Sequence, residues 1–312
     1  MNRTTPRQFM KASLLLIISA AALLFSACQP SQQNTVDDDT LQVTVSILPQ
    51  AFFVERIGGE LVTVNVMVGP GEEAHTYEPT PGQMKALAAS HIFFSIGVEY
   101  EQTWIPRFAD INPALLFVDS AAGIERIPMA DDHAQDENET DALAHDEGLD
   151  PHVWLSPDNG KIIAENVLLA LIAASPDNEE EFQANYENLI AAIDNLDQRI
   201  ETVLSGVEQR TFMVFHPAWG YFAEQYNLEQ LPVQVGGQDP SVSEMAALVE
   251  IAREEDIQVI FIQPTFNASD AQAIAAEIGA EVAVVDPLAR DWLANLETVA
   301  EAFAAALKEK GL

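Results

Sequence analysis

Residues 176–204 read PDNEEEFQANYENLIAAIDNLDQRIETVL. Apolar side chains stand at Phe182, Tyr186, Leu189, Ile193, Leu196, Ile200 and Val203, in alternating steps of four and three, which puts all seven on one stripe of an α-helix. At 1.5 Å per residue, a single helix of nearly thirty residues is ~40 Å long, enough to run along two lobes. A coiled-coil seam is the competing reading. The repeat lasts four heptads at most and has globular patterns on both sides, so the stripe is assigned to an internal linking helix over 176–205.

Outward from this helix, short β-branched runs alternate with helical patterns in both directions. Strands are expected at 41–47, 62–68, 91–96 and 115–118 before it, and at 211–215, 231–235, 258–262 and 282–285 after it. Four and four argue for an α/β protein of two lobes, 41–175 and 206–312, each a four-stranded parallel sheet flanked by helices. Helix starts are marked by Thr80 with Pro81 and Gln83, Ser156 with Pro157, Ser241 with Glu244, and Ser269 with Gln272. In each a hydroxyl can cap orphan amides, and proline is tolerated in the first turn because its missing donor has no partner there.

The N-terminus reads as a targeting element: Arg3, Arg7 and Lys11 precede an apolar stretch from Ala12 to Phe25 that is too short for a retained span. Residues 1–27 form the expected signal peptide, and 28–40 a polar tether. Cys28 is the only cysteine, which excludes an intrachain disulfide and a zinc site built mainly from thiolates. Its place after small residues resembles a lipoprotein processing site, although Phe25 stands where leucine is usual; an ordinary signal peptide is the alternative. Lipidation at Cys28 would make the chain an exported, membrane-anchored lipoprotein, in the periplasm or on the outer face of the cell membrane. The net charge of −35 drops further without the leader, to 11 basic against 49 acidic side chains. Nucleic acid and anionic lipid surfaces are poor partners for such a body, whereas cations are attracted. Residues 129–150 hold nine acidic side chains with His133 and His145 and no Lys or Arg, and read as a surface loop. Auxiliary capture of metal and a tolerated insertion remain alternatives for it.

Three of the six histidines lie in distinctive settings: GEEAHTYEP around His75, DPHVWLSP around His152 and VFHPAWGYF around His216. Each follows an expected strand, as does Asp286 in VVDPLA, and ligands of open parallel sheets collect at the carboxyl ends of strands. A cleft between lobes would bring the four together. Three neutral imidazoles and one carboxylate satisfy tetrahedral Zn2+. A closed shell of four binds without catalysing; were the carboxylate absent, a water in its place would make a hydrolase centre. No HExxH helix is present, and Glu73 is the one nearby candidate for a general base. His91, which opens a strand among apolar neighbours, is read as structural. Tyr77, Trp154, Trp219 and Tyr221 are read as packing that excludes water.

These stretches resemble the substrate-binding lipoproteins of zinc and manganese ABC transporters over nearly the whole chain after the tether. GEEAHTYEPTPGQMKALAAS, DPHVWLSPDNGKIIAENV, FHPAWGYFAEQYNL and VVDPLA are similar to the four ligand motifs, GVEYEQTW and the stretch 239–266 to other family segments. The resemblance implies two lobes joined by a rigid long helix and one metal held by His75, His152, His216 and Asp286. It also implies delivery to a membrane permease, a monomer and no enzymatic activity. Manganese members usually carry Glu at the third position, so His216 favours Zn2+; Mn2+ or iron receptors and adhesins of the same fold are the alternative. Gln263 and Ser156 stand where Glu and Asp are frequent, neither at a ligand position.

Overall fold

The computed structural model describes residues 40–129, 148–234, 240–266 and 268–308. Cys28, His133 and His145, with the expected leader and most of the tether, lie outside them.

Strand β1 (Leu41–Ile47) runs directly into helix α1 (Leu48–Gly58), which Pro49 permits because it sits in the first turn, where an amide has no helical partner. β2 (Val62–Val68), β3 (Ile92–Ser95) and β4 (Leu116–Asp119) complete a parallel sheet of order β2-β1-β3-β4. β5 (Thr211–Val214), β6 (Glu229–Pro232), β7 (Val259–Ile262) and β8 (Glu281–Val284) repeat that order as β6-β5-β7-β8. In both sheets the strand order reverses between the first and third strands, where doubly wound sheets open a crevice at their carboxyl ends.

The first sheet carries α2 (Pro81–Ala88), α3 (Glu99–Ile111) and α4 (Pro157–Ala174); the second carries α6 (Gly220–Gln225), α7 (Val242–Glu254), α8 (Ala268–Ile278) and α9 (Trp292–Ala306). Between the two sets runs α5 (Glu179–Leu204). Thr80 and Ser241 accept the amides of Gln83 and Glu244, whose side chains bond back to the cap, and Ser156 accepts from Asn159. Ser269 departs from expectation, because α8 begins at Ala268 and the serine is already helical. The long helix differs at its start: Pro176–Asn178 form a 3-10 turn, and the α-helix proper has 26 residues. Glu179, Glu180 and Glu181 fill its first turn, where the helix dipole favours negative charge.

The stripe on α5 is the spine of the core. Phe182, Leu189, Ile193, Leu196 and Ile200 are fully buried, with Tyr186 and Val203 packed at the margin. They meet α1, α4 and α9, helices from both halves of the chain. Alternation along β5 and β7 divides the second half: Phe212, Val214 and Phe261 face the body shared with α5, α9 and the first sheet. Met213, Phe215, Ile260 and Ile262 face a separate cluster under α7 and α8. The two sheets therefore lean on one continuous core, and the chain from Thr40 onward forms a single unit. Two tryptophans lock the junction. Trp292 lies so close to Gly160 of α4 that any Cβ there would come within 2.5 Å of the indole. Its Nε1–H donates to the Trp154 carbonyl at 2.6 Å, while Trp154 Nε1–H donates to the Pro287 carbonyl at 2.7 Å. Among the described residues no helix is long and apolar enough to cross a membrane.

Candidate metal site

His75, His152 and His216 each offer a ring nitrogen within 4.8 Å of the others, the one such cluster of possible metal donors among the described residues. Each arrives on a different loop at the carboxyl ends of the strands. His75 follows β2 on a segment tied down by Gln83, whose amide donates to the carbonyls of Val66 and Met67 at 2.9 and 2.5 Å. The buried Tyr77 donates to the same Gln83 at 2.6 Å. His152 lies between Pro151 and the 3-10 turn Val153–Leu155, and His216 directly follows β5 with Phe266 stacked on its ring.

The Nδ1 atoms are all engaged. His75 Nδ1 is 2.7 Å from Glu99 Oε2, at the start of α3; His152 Nδ1 is 2.7 Å from Asp150 Oδ1; His216 Nδ1 is 3.3 Å from Gln234 Oε1. A carboxylate or amide oxygen accepts, so each Nδ1 carries the proton and each Nε2 is left with its lone pair. The Nε2 atoms of His75 and His216 then face each other 3.3 Å apart. Two lone pairs at that separation repel unless a cation lies between them. Donors on a tetrahedral ion at ~2.0–2.1 Å stand ~3.3–3.4 Å apart, so the spacing fits Zn2+. The partnered imidazoles follow the usual arrangement of metal ligands, in which a second acceptor fixes tautomer and orientation.

Protonation separates His216 from His75. Burial lowers the His216 pKa, and the neighbouring His152 and His75 add to this, bringing it to about 3, so this ring is neutral at any physiological pH. His75 is raised: burial works to lower it, but the hydrogen bond and charge of Glu99, with Glu73 and Asp150 behind, outweigh that. Glu99 is correspondingly lowered, its hydrogen bond to His75 overcoming the effect of burial.

Asp286 is not among the close cluster of donors. It is half-buried in an adjoining cavity of 250 Å³ whose walls include Glu72, Gln263 and Arg290. Its Oδ1 accepts the Leu288 amide at 2.9 Å, a local turn that holds the carboxylate at the rim. Among the described residues Glu73 is the carboxylate nearest an Nε2 of the triplet, with Oε1 3.7 Å from His75 Nε2. A larger cavity of 640 Å³, lined by Glu208, Glu254, Glu255 and Asp256 among others, contains no imidazole and stands away from this chemistry. His91 has the structural role expected, accepting the Gln42 amide on Nδ1 at 3.0 Å. Tyr77, Trp154, Trp219 and Tyr221 are buried, as water-excluding packing requires. Sequence reasoning missed the roles of Glu99, Asp150 and Gln234. Asp150 carried a readable signal, two residues ahead of a histidine across a proline; Glu99 and Gln234 reach their histidines only through the fold.

Comparison with known proteins points the same way. A family described as the periplasmic component A of the zinc-uptake complex, ZnuA, matches residues 43–306. The high-affinity zinc uptake system protein ZnuA of Bacillus subtilis is 29% identical over 288 residues, covering 90% of this chain and 89% of that protein. The zinc-binding lipoprotein AdcA of Streptococcus pneumoniae is 27% identical over 89% of this chain, which spans only 56% of AdcA. Among solved structures, a zinc-bound ZnuA deletion mutant superposes with a TM-score of 0.80 at 38% identity, over 88% of this chain and all of that one.

Proposed function

The chain belongs to the family of periplasmic zinc-uptake component A proteins, and on that premise we propose that it binds one Zn2+ through Nε2 of His75, His152 and His216, with Asp286 as fourth donor, and passes it to the permease of an ABC importer. Membership makes it a metal-binding receptor and not an enzyme, which removes the hydrolase reading. The observation that carries the reading is the imidazole triplet with every Nδ1 occupied and a ring nitrogen of each within 4.8 Å of the others. An all-imidazole triplet suits zinc better than manganese, which prefers carboxylate oxygen. Asp286 supports its part by position: its Oδ1 is held by Leu288, and the residue lines the adjoining cavity. Anchoring through lipid at Cys28, the lobe boundaries 41–175 and 206–312, and a monomeric state belong to the same proposal.

Competition of the isolated protein with a chromophoric chelator tests it. One Zn2+ per chain is expected, bound more tightly than Mn2+, with His216→Glu narrowing the difference. Failure to bind zinc, or a preference for manganese in the unaltered chain, defeats the reading.

A further inference from the structure

Residues 127–129 run antiparallel to residues 148–150. The pair is stitched: Asp150 N–H donates to the Ile127 carbonyl at 2.9 Å, Met129 N–H donates to the Gly148 carbonyl at 2.7 Å, and Pro128 pairs with Leu149. Tyr221 reaches this pair from α6, in the other half of the molecule. Its hydroxyl accepts from Ile127 N–H at 3.3 Å and donates to the Asp150 carbonyl at 2.9 Å, so one oxygen holds both sides. Gly220 beside it provides the room. A Cβ there would stand 2.6 Å from Asp150 Oδ2 and 3.2 Å from the Ile127 side chain. Asp150, itself buried, then accepts both the backbone amide of His152 at 2.8 Å and its Nδ1 at 2.7 Å.

We propose that Tyr221 and Gly220 are positioning residues of the metal site: from the second half of the chain Tyr221 holds the Asp150 backbone and Gly220 leaves room for its carboxylate, which sets the tautomer and direction of the His152 imidazole in the first. The proposal rests on the zinc-receptor reading above. Phe at 221 would fill the same space yet leave the Asp150 carbonyl and the Ile127 amide without their shared partner. The carboxylate is then free to drift from Nδ1, and a ligand imidazole loses the acceptor that orients it.

The test compares the unaltered chain, Tyr221→Phe, Asp150→Asn and the double variant. Zinc affinity is read by chelator competition, the His152 tautomer by ¹⁵N imidazole shifts of the metal-free protein, and stability by thermal unfolding. Asp150→Asn should lose about 10- to 100-fold in zinc affinity. Tyr221→Phe should lose about 10-fold or less and mix the two neutral tautomers of His152. The double variant should lose no more than Asp150→Asn alone, because the two residues act in series. Gly220→Ala provides a second route to the same displaced carboxylate. Tyr221→Phe with unchanged affinity and tautomer, or losses that multiply in the double variant, overturns the proposal. An unaltered chain that fails to take zinc defeats the receptor reading instead, and the tautomer still reports on the clamp.

Discussion

His216 and His75 respond to acid in opposite senses, and the difference has measurable consequences. Unfolded, His216 takes a proton near 6.5; folded, it does so only at about 3. Its contribution to the metal-free fold is complete above 6.5 and is lost as pH falls toward 3, at ~1.4 kcal/mol per pH unit for one proton. Urea unfolding of His216→Gln should show that acid slope reduced by about one proton. His75, raised by Glu99, contributes stability below 6.5 that is lost as pH rises through its folded value. Zinc needs the neutral ring, so affinity should already be falling above pH 6.5; Glu99→Gln should move the onset of that fall to lower pH, as read by chelator competition across pH. Replacing any one of the three histidines by Ala should cost more than the ~10–100-fold typical of outer-shell changes. These three could be read directly from the sequence because each stands in a short, distinctive motif in a loop that follows a strand, His216 directly after β5 and His152 just ahead of a helix. Gln234 could not, since only the pairing of β5 with β6 brings it within reach of His216.

At the scale of elements, the carboxylate of Glu101 ties three pieces together. It accepts from Ser46 Oγ at the end of β1, from the Ile96 and Gly97 amides after β3 at 3.0 and 2.8 Å, and stands in the first turn of α3. Burial nevertheless pushes its pKa up to about 7. Glu101→Ala would strand those donors and is expected to cost about 3 kcal/mol in urea unfolding. It should also weaken zinc binding, because Glu99 on the same turn holds His75. Within α5, Ile193→Ala should cost ~2–5 kcal/mol, as for other fully buried aliphatic side chains. The register of that helix was legible because burial follows the 3.6-residue period of the sequence. The start of β6 was not: the strand begins at Glu229 rather than at 231, set by the bond from Glu229 N–H to the Arg210 carbonyl, a contact no local pattern encodes.

At the scale of the molecule, the net charge of −35 draws cations toward the protein, so zinc uptake should slow as salt screens the field. Stopped-flow capture rates at two ionic strengths check this. Bound zinc at a thousand times its dissociation constant should raise unfolding free energy by about 4 kcal/mol, visible as a higher melting temperature. The doubling of the fold was legible from four strands on each side of one helix. The continuity of its core was not, because Trp154 and Trp292, 138 residues apart, meet only in three dimensions. That junction bears on how cargo is announced. With indoles crossed between the halves and a single spine beneath both sheets, there is no clamshell to swing. Small-angle scattering profiles of loaded and metal-free protein should superimpose. A permease that receives zinc as proposed would then have to tell a full carrier from an empty one by the set of a few rim loops, and empty carriers would contend for the same berth.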